Sequence, residues 1–181
     1  MKNIIIIFLL FHTTCLLSQE RISIDVFLGL KTTGIDNEYQ SQQKVINTLT
    51  NFSLQLKETD FGHFFIGQSL EYANLQDGPC YRYAFIQIGY SFSQPILLRK
   101  MTANVAVNYA ITRRWSEGFN SYGGTFDLSY KFSDSIKLAS LIQMVRRTDI
   151  ENHIPNGHNI IYEFNFFVGI KIDLFRVRNI F

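Results

Sequence analysis

Five arginines raise the first chemical question. Arg82, the pair Arg113–Arg114 and the pair Arg146–Arg147 each stand where a run of alternating residues begins or ends. A guanidinium is a planar fork of N–H donors that engages two phosphate oxygens at once, so five at one level would form a phosphate clamp. A second set of charges lies inside the alternating runs: Asp25, Lys31, Glu71, Asp127, Lys131, Lys171 and Asp173. Small numbers of both signs among Ser, Thr and Asn suit ion pairs in an enclosed polar space. Catalysis finds little support. Beyond residue 20 the histidines are His63, His153 and His158, and no Ser or acid is spaced to join one of them. Asp149, Glu151, His153 and His158 interleave carboxylates and imidazoles without a metal-binding spacing, so neither a metal nor a cofactor is expected.

Strands must position these groups. In TFDLSYKF, Phe126, Leu128, Tyr130 and Phe132 alternate with Thr125, Asp127, Ser129 and Lys131. That is a strand with one oily and one polar face. Seven more stretches repeat the pattern: RISIDVFLGLK, KVINTLTNFSLQLK, HFFIGQSLEYA, YRYAFIQIGYSF, MTANVAVNYAIT, IKLASLIQMVRR and IIYEFNFFVGIKIDLF. Val45 and Leu49 disturb the second, where a short helix is the alternative. Leu141 and Val145 blur the seventh, and Gln68 stands in the apolar row of the third. The connections alternate in expected length: long after strands one, three, five and seven (TTGIDNEYQSQQ, NLQDGPC, RRWSEGFNSYG, TDIENHIPNGHN), short after two, four and six (ETDFG, SQPIL, SDS).

Composition narrows the class. There are 17 Lys and Arg against 15 Asp and Glu, a net charge of +2, which gives nucleic acid no basic surface to bind. The 17 Phe and 9 Tyr, with the alternation, favour β-structure. MKNIIIIFLLFHTTCLLSQE reads as a secretory signal peptide, since its apolar run is far short of the roughly 20 residues of a spanning helix. Cleavage after Ser18 leaves residues 19–181 as one domain. Cys15 lacks the residues that precede a lipidated cysteine, and Cys80 is then the one cysteine left, so no internal disulfide forms.

The polar rows are poor in Lys and Glu, which suits a narrow lumen better than a water-facing surface. The apolar rows end in aromatics: Tyr72, Tyr109, Tyr122 and Tyr162 toward one rim; Tyr90, Phe92, Tyr130, Phe132 and Phe175 toward the other. Such girdles mark the two interfaces of a membrane barrel. The expected fold is all-β, an eight-stranded antiparallel up-and-down transmembrane β-barrel. A soluble lipocalin-like barrel is the rival, and FLGLK lacks the Gly-x-Trp pattern of that class.

With these eight strands, and with TFDLSYKF and FFVGIKIDLF in particular, the chain resembles the small bacterial outer-membrane β-barrels of the OmpA/OmpX-like, porin-type superfamily. The resemblance implies an outer-membrane location, contact with lipid and lipopolysaccharide, and insertion by the barrel-assembly machinery, which reads a terminal aromatic such as Phe181. It implies a monomer with a plugged lumen and a structural or surface role; a small transport barrel is the alternative. Some members are lipid A acylases or deacylases, but the histidines here are not placed for that chemistry, and no enzyme is expected. In this frame the five arginines are candidates for lipid A phosphates, and Asp25 and Lys171 are expected to pair across the lumen.

Overall fold

A computed structural model describes residues 21–34, 47–75, 78–93, 99–114, 116–151 and 162–176. The expected signal peptide, His153, His158 and the end of the chain lie outside them. Eight strands form as the alternation requires: β1 (Arg21–Gly34), β2 (Asn47–Thr59), β3 (Gly62–Leu75), β4 (Gly78–Phe92), β5 (Met101–Arg114), β6 (Glu117–Lys131), β7 (Ile136–Arg146) and β8 (Tyr162–Arg176). One turn of helix, α1 (Thr148–Glu151), follows β7. Each strand pairs antiparallel with the next, and β8 returns to β1, so the sheet closes with no free edge. The second stretch is strand, not helix. No helix among the described residues is long and apolar enough to cross a membrane.

Side chains alternate out and in along every strand. Outside stand Val26, Leu28, Phe52, Leu70, Ile88, Val105, Val107, Phe126, Ile142 and Val168; inside stand mostly Ser, Thr, Asn, Gln and paired charges. The aromatics pack pairwise toward the two ends. Tyr72–Tyr81, Phe85–Tyr109 and Tyr109–Tyr122 lie 5.0–5.3 Å apart by ring centroid near one rim, and Phe64–Tyr90 and Tyr90–Phe92 lie 4.8 Å apart near the other. Gln68, polar in an outward row, accepts a hydrogen bond from the Tyr83 hydroxyl at 2.9 Å. Its carbonyl is thereby satisfied on an otherwise apolar face.

A bulge in β4 resets the alternation. Gly67 pairs with Gln87 but Ser69 with Ala84, and on the other side Ala84 pairs with Ala110 but Ile86 with Tyr109. Phe85 is the extra residue. Above it Tyr81 and Tyr83 point outward and Arg82 and Ala84 inward; below it Ile86, Ile88 and Tyr90 point outward. Strict alternation through YRYAFIQIGYSF predicts one outward row, Ala84, Ile86, Ile88, Tyr90 and Phe92; the bulge corrects this, and Ala84 faces the lumen.

The expected alternation of long and short connections holds after β1, β2, β6 and β7 and is corrected for the three connections in the middle of the chain. β3 and β4 are separated by residues 76–77 alone, and β5 and β6 by residues 115–116, with Ser116 in the left-handed region (φ 68°). Most of NLQDGPC and RRWSEGFNSYG is strand, because the ladder runs on past the apolar band into the polar flanks. At the other end, the connection from β4 to β5 takes up residues 93–100 and is the longer one. The β2–β3 turn closes on Gly62 at φ 150°, where a Cβ would collide with the Ser91 carbonyl oxygen. No other residue type fits that turn.

Candidate functional site: the lumen and its two rims

Eight strands enclose a space just wide enough for side chains. In the half nearer the start of β1 and the end of β8, Lys171 on β8 is the hub. Its Nζ lies 2.7 Å from Asp127 Oδ1 on β6 and 3.6 Å from Asp25 Oδ2 on β1. Asp25 and Lys171 are register partners across the β1–β8 seam, so this contact spans adjacent strands, not the lumen; the reach across β7 is to Asp127. Asn104 Nδ2 donates to both Asp127 oxygens at 3.1 Å. Nearer the mouth, Lys137 Nζ sits 3.3 Å from Asp173 Oδ2, and Arg21 3.9 Å from the same oxygen. A cavity of about 30 Å³ remains among these groups, space for water and little else.

Midway, Phe27, Leu49, Ala139, Leu141 and Phe167 form one buried cluster inside the barrel. Phe27 is 0 % exposed and pairs with Gly169, where a Cβ would lie 2.6 Å from the Phe27 ring. The glycine leaves the space that the ring occupies. Leu49 and Leu141, which blur the alternation in the sequence, join Phe27 and Phe167 in turning this stretch of the lumen apolar; Val145 also faces the lumen, but beside the far network.

The far half holds a second network. Arg82 donates from Nε to Ser121 Oγ at 3.2 Å and from Nη2 to Asn108 Oδ1. Gly123 makes room for it, since a Cβ there would lie 2.7 Å from the Arg82 nitrogen. Asn47 donates to Glu71 at 3.0 Å. At the rim, α1 folds inward and buries Asp149 completely. Arg147 grips its two oxygens at 2.9 and 2.7 Å, Arg114 reaches it at 3.4 Å, and Arg147 also binds Glu163. Thr148 donates to the Asn120 carbonyl, and Arg146 pairs with Glu151 at 3.0 Å on the outside of this turn. Below lies a cavity of about 20 Å³.

The burial of Asp149 works to raise its carboxyl pKa, but the hydrogen bonds and charges of Arg147 and Arg114 outweigh it and hold the group below its ordinary range. A carboxyl depressed on folding contributes stability above its unfolded value of about 3.9 and loses it as pH falls through the lower folded value. The contribution of α1 to stability is therefore full at neutral pH and disappears only in strong acid. Asp149→Asn should cost about 2 kcal/mol at pH 7 and abolish that acid-linked step, as measured by urea unfolding at pH 7 and pH 3. An unchanged pH profile would show that Asp149 is not what holds α1 down.

The residues singled out by type and spacing thus divide. Asp25, Glu71, Asp127, Lys171 and Asp173 face the lumen within the two networks. Lys131 sits at the mouth, 2.7 Å from exposed Asp134. Lys31 is in β1, but its side chain lies outside the described residues. The arginine clamp is corrected for three members. Arg82, Arg114 and Arg147 are each buried in the lumen and engaged by its polar groups, so they cannot reach lipid. Arg113 is exposed and Arg146 half-exposed on the outside. Lys137, Glu163 and Asn108 join the networks without any motif to mark them; the one signal in the sequence is their place on inner rows that their neighbours define. Among the described residues no cluster of His, Cys, Asp and Glu could hold a metal.

A closed eight-stranded antiparallel barrel, apolar around its whole wall and polar within, is a transmembrane β-barrel. Its fold is that of small outer-membrane barrels. It matches the Yersinia pestis outer membrane protein Ail in a phospholipid bilayer nanodisc (TM-score 0.53, 9 % identity, 86 % of this chain and 100 % of that one). It likewise matches the N-terminal β-barrel domain of Pseudomonas aeruginosa OprF (TM-score 0.51, 13 % identity, 87 % and 99 %), and a de novo designed transmembrane β-barrel (TM-score 0.51, 10 % identity, 86 % and 97 %). No protein-family model matches the chain, and no curated protein does.

Proposed function

We propose that the protein is an integral outer-membrane barrel with a plugged lumen, non-enzymatic and monomeric, serving envelope structure or surface interaction. The start of β1 and the end of β8 lie on the periplasmic side, and the rim that carries α1 is the external one. The observation that carries this reading is the apolar cluster of Phe27, Leu49, Ala139, Leu141 and Phe167 between two polar networks. An ion moving through would have to shed its water against five apolar side chains, after passing Lys171 and its two carboxylates. The cavities on either side, about 20 and 30 Å³, have room for little more than water. Planar-bilayer recordings should show no steady conductance; a large, stable open level would favour the transport alternative.

At the outer rim, exposed Arg113, and Arg146 by exchanging its half-exposed pairing with Glu151, are the two left to meet lipid A phosphates. Replacing both with Gln should lower barrel stability in membranes that contain lipopolysaccharide and leave it unchanged in phosphatidylcholine. Equal stability in both membranes would reduce them to ordinary surface charges.

A further inference from the structure

The rim where β1 starts and β8 ends differs from the opposite one in charge. At the far rim the lumen arginines are matched by Asp149, Glu163 and Glu71. At the near rim a cavity of about 290 Å³ opens between the β4–β5 connection and the starts of β1 and β7. Arg21, Arg99, Lys100, Lys131 and Lys137 line it. Only three carboxylates, Asp60, Asp134 and Asp173, face them. Asp173 is taken by Lys137 and Arg21, and Asp134, almost fully in water, pairs with Lys131 at 2.7 Å, an exposed pair that a phosphate can replace. Arg99 and Lys100 have no carboxylate partner among the described residues.

The same corner opens onto the outer wall. Met101 lines this cationic cavity and also a second, apolar groove of about 610 Å³ with Leu28, Tyr130, Leu138, Ser140 and Val168. The groove exists because Ser140, on an outward row, is small between Leu128 and Val168, its partners on either side. It follows the ladder from Met101, the first residue of β5, to Leu28, midway along β1. In a tilted barrel that path climbs from the rim toward the middle of the bilayer. At the junction, Lys100 Nζ lies 5.9 Å from the centre of the Tyr130 ring, an ammonium held at the apolar–polar boundary.

We infer that this corner is a binding site for one anionic glycerophospholipid of the periplasmic leaflet. Its phosphate sits among Arg99, Lys100 and Lys131, and an acyl chain lies in the groove over Ser140. The cations supply selectivity for a net negative headgroup, and the groove supplies what a free phosphate lacks. This rests on the membrane-spanning reading above.

The test uses the full chain purified from membranes in detergent, with native mass spectrometry following retention of phosphatidylglycerol or phosphatidylcholine. Phosphatidylglycerol should bind at least tenfold more tightly. Arg99→Gln, Lys100→Gln and Lys131→Gln together should bring the two lipids within about twofold. Ser140→Leu should weaken phosphatidylglycerol about fivefold by filling the groove with no change in charge. All four positions are on the surface or lipid-facing, and heat-modifiable migration on gels checks that the variants fold. Equal retention of the two lipids by the unmodified chain, or no response to either variant, would overturn the site. Full displacement by millimolar inorganic phosphate, with Ser140→Leu inert, would identify a free-phosphate site and overturn the lipid. A chain that is folded in detergent yet indifferent to headgroup refutes this inference alone; a chain that folds with no amphiphile refutes the membrane reading.

Discussion

Lys171→Met should destabilise the barrel by about 3–5 kcal/mol, the cost of breaking a buried ion pair from one side. Lys171 is buried and is the one cation within 4 Å of either Asp25 or Asp127 among the described residues. With methionine in its place, two carboxylates share a cavity that holds little more than a water molecule. The pair is not itself a large source of stability, because both partners gave up hydration to enter the lumen. Its removal as a whole should therefore be mild. Lys171→Met with Asp25→Asn and Asp127→Asn is expected to recover most of the loss, since the new asparagine at 127 keeps an acceptor for Asn104 without charge. Urea unfolding from lipid vesicles measures both. A loss under about 1 kcal/mol for the single variant would mean that water reaches these carboxylates freely.

Val107→Arg carries the second large effect, of about 2–4 kcal/mol. Val107 is 66 % exposed, at the middle of β5, and touches no polar network. On a water-facing surface such a change stays within about 0.5 kcal/mol. At the bilayer midplane it brings a guanidinium into hydrocarbon. The same substitution at Ile111, on the same row but nearer the outer rim, should cost less, because cost falls toward the interfaces. A flat profile along β5 would not fit a membrane-spanning wall.

Much of the fold is legible because a strand's period of two survives even when its amplitude is weak. All eight strands fall where alternation places them. The disturbances carry information that alternation alone does not reveal. Leu49 and Leu141 depart from the outward row because the lumen has its own apolar layer, and a single sequence does not say that a polar row turns apolar halfway. Connections are shorter than the sequence suggests because strands do not stop where the oily band stops: β5 continues through Thr112 to Arg114, and β6 starts at Glu117. Extending the inner row Asn104, Asn108, Thr112 by two places Arg114 in the lumen and Arg113 outside. Arg82 is beyond that reasoning, since the bulge at Phe85 changes the phase between it and the clear pattern of Ile86 and Ile88. Asp149 is beyond it too: the burial of a loop carboxylate depends on α1 folding back onto β5 and β6, a long-range contact that leaves no local period.

Everything turns on what covers the outer wall. The most direct measurement is the state of the purified mature chain with and without amphiphile, by circular dichroism and size-exclusion chromatography. Strand content and a single compact species should persist in detergent or lipid, and removal of the amphiphile should end in aggregation or unfolding. A folded, monodisperse protein in plain buffer would contradict the account.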